Sequence, residues 1–164
     1  MTSTPRPLAT LLRQLICVIY FIGGIVGLYV LLPRLGLFTS SLLAITLFAL
    51  MVFQNIVAIY GSILFWKNQI KGGQWLYWLS WTSVPVFTST MISYHSIIGL
   101  GVVPLMRLEP GNYGMDIVFR FGYAGALKWF PTLDIFQLGI NLVPLLFIAI
   151  ISQLININAH IDNN

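Results

Sequence analysis

Residues 74–103 read QWLYWLSWTSVPVFTSTMISYHSIIGLGVV, and the reading of this stretch decides the fold. It lies within a charge-free interval bounded by Lys71 and Arg107. A hydrocarbon layer about 30 Å thick is crossed by roughly 20 apolar residues of helix. By length and hydropathy the stretch is a membrane helix. It is long enough to tilt, to kink at Pro85, or to lay its Trp-rich start in the interface. Three more charge-free intervals run from Arg13 to Arg34, Arg34 to Lys67 and Asp134 to Asp162. The expectation is an all-α integral membrane protein, a four-transmembrane-helix bundle built as one domain over 1–164. Its helices fall at about 8–32, 41–66, 74–103 and 133–154, with one outer loop over 104–132.

Composition supports the membrane class. Of 164 residues, 58% are hydrophobic and 7% charged, with mean hydropathy +0.90. A soluble domain carries about 25% charged residues, so lipid is expected to cover much of this surface. The eight Lys and Arg residues are scattered. No basic run of the kind that grips nucleic acid is present. Cys17 is the single cysteine, which excludes an internal disulfide, a CxxC centre and a cysteine zinc site. Leu15 to Leu32 is longer than a signal-peptide core and no A-x-A site follows it, so a retained anchor is expected.

Orientation follows from the basic residues. With the N-terminus inside, Arg6, Arg13, Lys67 and Lys71 face the cytoplasm, and Arg34, Arg107, Arg120 and Lys128 face out. The totals are equal, but short loops and the first helix carry most weight. Both termini are therefore expected in the cytoplasm, of a bacterial inner membrane. Trp66, Trp75, Trp78 and Trp81 cluster near the inner turn and Trp129 near the outer side, as interfacial anchors do.

Several polar features could carry function. Gly23 and Gly27 form a GxxxG expected to let a neighbouring helix approach closely. Gln54 and Asn55, near the middle of helix 2, are costly in hydrocarbon unless hydrogen-bonded. They are expected to clamp to hydroxyls of the third helix or to line a polar path. On a straight helix at 3.6 residues per turn, Thr82, Ser89, Ser93 and Ser96 fall within about 60° of one another, with His95 roughly opposite. Asp134, Gln137 and Asn141, spaced i, i+3, i+7, are expected on one face of helix 4. No combination of His, Cys, Asp and Glu has metal-ligand spacing, so neither metal nor cofactor is implied.

The segment 107–131 opens with a turn-rich patch. Ile117, Phe119, Phe121 and Tyr123 then alternate with Asp116, Val118, Arg120 and Gly122, as in an extended strand with one apolar face. Loops on a rigid scaffold concentrate function. Tyr, Trp and Arg dominate contact hot spots. Arg107, Tyr113, Phe119, Arg120, Phe121, Tyr123 and Trp129 are the expected partner-reading residues. The chain is thus expected to be a non-enzymatic membrane protein acting through protein–protein contact, as a complex subunit, assembly factor or immunity protein. A small transporter or channel using the polar faces of helices 2–4 is one alternative. A lipid-modifying enzyme using His95, Arg107 and Asp134 is another. The expected partners are the bilayer and another protein, not nucleic acid.

Overall fold

The computed structural model describes residues 7–38, 42–89, 92–109, 112–129 and 136–162. Helix α1 spans Pro7–Leu31 and continues into a 3-10 helix at Leu32–Phe38. Helix α2 spans Leu42–Trp66 and α3 spans Ile70–Thr82. Four strands follow: β1 (Pro85–Thr88), β2 (Ile92–Glu109), β3 (Asn112–Trp129) and β4 (Phe136–Ile140). Helix α4, Leu142–Asp162, ends the chain.

This arrangement overturns the four-helix bundle. Residues 74–103 are not one helix: they supply most of α3, all of β1 and the first two-thirds of β2. The reason is local. Val84 precedes Pro85, and a residue before proline is pushed out of the helical region. From Val84 onward the chain is rich in Val, Ile, Thr, Tyr and Phe, which suit a pleated, half-buried surface. Gly99 and Gly101 would each cost a helix interior about 1 kcal/mol. Within the outer loop expected over 104–132, residues 104–109 are the end of β2 and 112–129 the whole of β3, and the two strands form a long hairpin paired from Ile92↔Trp129 to Glu109↔Asn112. The fourth helix begins at Leu142, because 136–140 is committed to β4.

All strand pairings are antiparallel, and the order across the sheet is β1-β4-β2-β3. Strand β1 also pairs with the start of β2 at Phe87↔Tyr94, while β4 pairs with its far half at Leu105↔Gly139. The β1–β4 pair therefore meets β2 at both ends, and β2 must curve in between. Gly99 (φ +88°) and Gly122 (φ +95°) sit directly opposite each other in the middle of the hairpin. Both lie in the left-handed region that an L side chain resists.

The helices pack through small residues. Helices α1 and α2 run in opposite directions. Gly24 meets Ala58 and Ile59, Gly27 meets Asn55, and Arg13 bonds the side chain of Asn68. Gly23 faces the other way: a Cβ there would lie 2.2 Å from Gly99 N. Gly72 and Gly73 lie inside α3, where a Cβ on Gly72 would meet Phe65 N at 2.3 Å. The turn is made by Asn68, whose φ is 66°. A core of Ile16, Cys17, Tyr20, Phe65, Leu76, Ile98, Phe147 and Ile151 joins all four helices to β2. Tyr20 lies edge-on to Phe147, with ring centroids 5.6 Å apart, and shares a 2.7 Å hydrogen bond with Ser80.

Among the described residues, two segments are long and apolar enough to cross a membrane, Pro7–Gly36 and Ile45–Trp66. Only 39% and 28% of their most apolar windows are buried by the rest of the protein. The apolar part of α4, Leu142–Asn156, is shorter.

The glycine crossing gives a direct expectation. A Cβ on Gly99 would lie 2.6 Å from Ile19 Cγ2 and 2.8 Å from Ile19 O, at a positive φ. Gly99→Ala should lose at least about 2 kcal/mol, combining backbone strain with overpacking. Gly114 has nothing within 4 Å of that position, so Gly114→Ala should stay within about 0.5 kcal/mol of the parent. Thermal unfolding in mild detergent, read by tryptophan fluorescence, compares the two. Equal midpoints would mean that the crossing contributes nothing.

Candidate functional site

The regions to which the sequence points fare differently in the fold. The first lies where α2 meets the end of α3 and the start of β2. Gln54 Nε2 donates to Thr82 Oγ1 at 3.5 Å, and Ser96 Oγ donates to Gln54 Oε1 at 3.3 Å. Tyr94 OH donates to the Thr82 carbonyl at 2.5 Å. Thr82 is in α3 and Ser96 in β2, so one α2 amide reaches both elements.

Asn55, next to it, is fully buried. Its Nδ2 donates to Met51 O at 2.8 Å, while Oδ1 sits over Gly27 without a hydrogen-bond donor. The buried Tyr123 hydroxyl is also unpartnered. Burial pushes the Tyr123 phenol up to about 12, and the neighbouring Asn55 amide, short of hydrogen-bonding geometry, offsets only part of that. Burial also raises Tyr94, opposed by Gln54 and Ser96. Both phenols therefore stay protonated across physiological pH.

The space beside this cluster is a cavity of about 20 Å³, lined by Gln54, Tyr94, His95, Ser96, Tyr123 and Gly125 among others. It is large enough for one water, not for a substrate. The hydroxyl stripe expected on a straight helix is dispersed. Thr82 ends α3, Ser89 follows β1, and Ser93 and Ser96 are on β2, with Ser93 hydrogen-bonded to Thr88 at 2.9 Å.

The face expected on helix 4 is likewise absent. Gln137 is on β4 opposite Arg107, and Asn141 lies between β4 and α4. Asp134 lies outside the described residues. Asn141 is nevertheless a junction. Its N–H donates to Val84 O at 2.8 Å, and its Oδ1 accepts from Val102 N at 3.1 Å and from Val143 N at 3.4 Å. It thus ties β2 to the β1–β4 pair and caps the N-terminus of α4, a role that asparagine fills well.

The second region is the hairpin. All seven residues expected to read a partner fall on β2 or β3, but on two different faces. Tyr113, Met115, Ile117, Phe119 and Phe121 alternate along β3, each 65–83% exposed. Met106 of β2 and Leu138 of β4 pair in register beside Met115 and extend this apolar face across the sheet. Arg107, Asp116 and Arg120 occupy the opposite face, where Arg107 and Asp116 form an ion pair of 2.9 Å. Tyr123 is half-buried against the polar cluster, and Trp129 pairs with Ile92 at the open end of the hairpin. Met115 and Ile117 were not singled out by sequence, although the same alternation contained Ile117.

Among the described residues, no group of three or more His, Cys, Asp or Glu residues is placed to hold a metal ion. His95 and Arg107 stand near opposite ends of β2, so they do not form the acid/base cluster considered from sequence. In comparisons with known proteins, the chain matches no family model, no curated protein and no solved structure.

Asn141→Ala would leave the Val102 and Val143 amides without their acceptor. Leaving a buried donor unsatisfied costs about 1–3 kcal/mol. Hydrogen exchange should show the Val102 amide losing protection, while amides between Ile16 and Tyr20 keep theirs. Unchanged protection at Val102 would show that the junction is dispensable.

Proposed function

We propose that this chain is an integral membrane protein that acts by contact with another protein through the β2–β3 hairpin, and not by catalysis. The observation that carries the reading is the exposed apolar face of β3 backed by charge. Five large apolar side chains project from one face, while Asp116 and Arg120 project from the other. A ribbon with charges on one side is expensive to sink wholly into hydrocarbon. An exposed apolar patch of this kind marks a surface that something covers.

The membrane assignment rests on α1 and α2. A core helix of a soluble protein would be mostly covered by its own chain, but most of each apolar window here is uncovered. We place both termini on the cytoplasmic side of a bacterial inner membrane and the hairpin tip on the other. The contact between Arg13 and Asn68 supports this, because it gathers Arg13, Lys67 and Lys71 at one end of the α1–α2 pair. Basic residues collect on the cytoplasmic side. A transport path along α2 draws no support from the polar cluster, since Gln54 is committed to Thr82 and Ser96 beside a one-water cavity.

The test uses position 119. In a Cys17→Ser background, Phe119→Cys should react with an impermeant maleimide added outside intact cells. A photo-crosslinking side chain at the same position should yield protein adducts, with far fewer from Gly114 on the charged face. Labelling only after the cytoplasm is opened would overturn the orientation. Adducts to lipid alone would overturn the contact reading and leave the apolar face as a membrane seat.

A further inference from the structure

Strand β3 ends the sheet: among the described residues, only β2 pairs with it. One edge of an 18-residue strand therefore carries unpaired backbone N–H and C=O groups. Such an edge is a template for another strand. We propose that a second copy of this chain covers it, the two β3 strands pairing antiparallel about a two-fold axis at Val118. This inference rests on the reading of the hairpin as a contact surface and names the partner.

The register follows from the side chains. In an antiparallel pair, residues directly opposite share a face. If the two position numbers sum to an odd value, the apolar face of one copy continues into the charged face of the other. Register is strongly specified where one face must stay apolar, so the sum must be even. A sum of 236 places Val118 opposite itself, Ile117 opposite Phe119 and Met115 opposite Phe121. It also places Asp116 opposite Arg120 on the other face, twice, once on each side of the axis. Sums of 234 or 238 set Asp116 or Arg120 opposite glycine or valine instead.

The charges are available for this. Arg120 is exposed and makes no ion pair among the described residues. Asp116 is 54% exposed and, among the described residues, is ion-paired to Arg107 alone, and a carboxylate offers about four acceptor positions. Opposite charges facing each other across strands stabilise a pair, and like charges oppose it. The self-complementary pattern is what a two-fold interface requires.

Directly opposed residues have Cα atoms about 4.5 or 5.5 Å apart, within the range a disulfide spans. In a Cys17→Ser background, Val118→Cys should form a disulfide dimer under mild oxidation. Asp116→Cys alone should not, because its counterpart lies four residues along the strand. Arg120→Glu, added to Val118→Cys, should lower the dimer yield several-fold by setting Glu against Asp116. Light scattering of the unaltered sequence in mild detergent should read a dimer, and Arg120→Glu should shift it towards monomer. That readout decides the matter should Val118→Cys fail to fold. A monomeric parent, or a dimer that Val118→Cys does not lock, overturns the inference. If position 119 still captures a different protein in that case, the contact reading stands without it. If Val118→Cys locks the dimer while position 119 captures no other protein, the self-pairing stands alone.

Discussion

The fold depends on one backbone-to-backbone crossing. A Cβ on Gly23 of α1 would collide with the Gly99 backbone of β2, a Cβ on Gly99 would collide with Ile19 one turn away on α1, and Gly99 also needs a positive φ. Its hairpin partner Gly122 shares that conformation and faces Val26. Three glycines thus let a two-stranded ribbon pass against a helix at the separation that small residues permit. With the ribbon held there, Ile98 enters the core shared by Tyr20, Phe147 and Ile151. Beyond the crossing, β2 curves back to meet the β1–β4 pair.

Polar groups fix what the glycines allow. The α2 amides are committed to neighbouring elements: Gln54 joins the last turn of α3 to β2, and Asn55 fills the space over Gly27. Asn141 closes the arch of β2 and starts α4 with the same side chain. In a low-dielectric surrounding, such bonds matter more for what their absence costs than for their own strength. The polarity of these elements is therefore spent on architecture. On the hairpin, an exposed apolar face and an ion-paired face are separated by the thickness of one sheet.

Part of this was legible in the sequence. Helices α1 and α2 lie within a residue or so of the expected bounds, because length, apolarity and the polar punctuation around Pro33 and Lys67 agree. The alternation from Ile117 to Tyr123 does mark a strand. Its partner was hidden, because β2 is apolar on both faces along Ile97–Gly99 and so reads as a continuous run. Periodicity cannot separate such a run from a buried helix. Pro85, the β-branched residues and Gly99 carried the contrary signal, and run length outweighed them. A Gly-Gly pair after a lysine has the composition of a turn, yet Gly72 and Gly73 serve the close packing of α3 on α2. At the candidate site, Gln54, Asn55 and Asn141 were recognisable as costly polar groups. Their partners were not, since most come from a sheet that the helical reading had removed.

Residues 92–109 and 112–129 form a curved hairpin held against α1, where hydropathy alone would place a membrane helix and a loop. Backbone carbon chemical shifts of labelled protein in lipid bilayers, read by solid-state NMR at Ile97, Ile98, Val102 and Val103, test it most directly. The structure requires strand values at all four, with a cross-peak between the backbones of Gly23 and Gly99. Helical shifts at these positions, with no contact between the two glycines, would contradict the account.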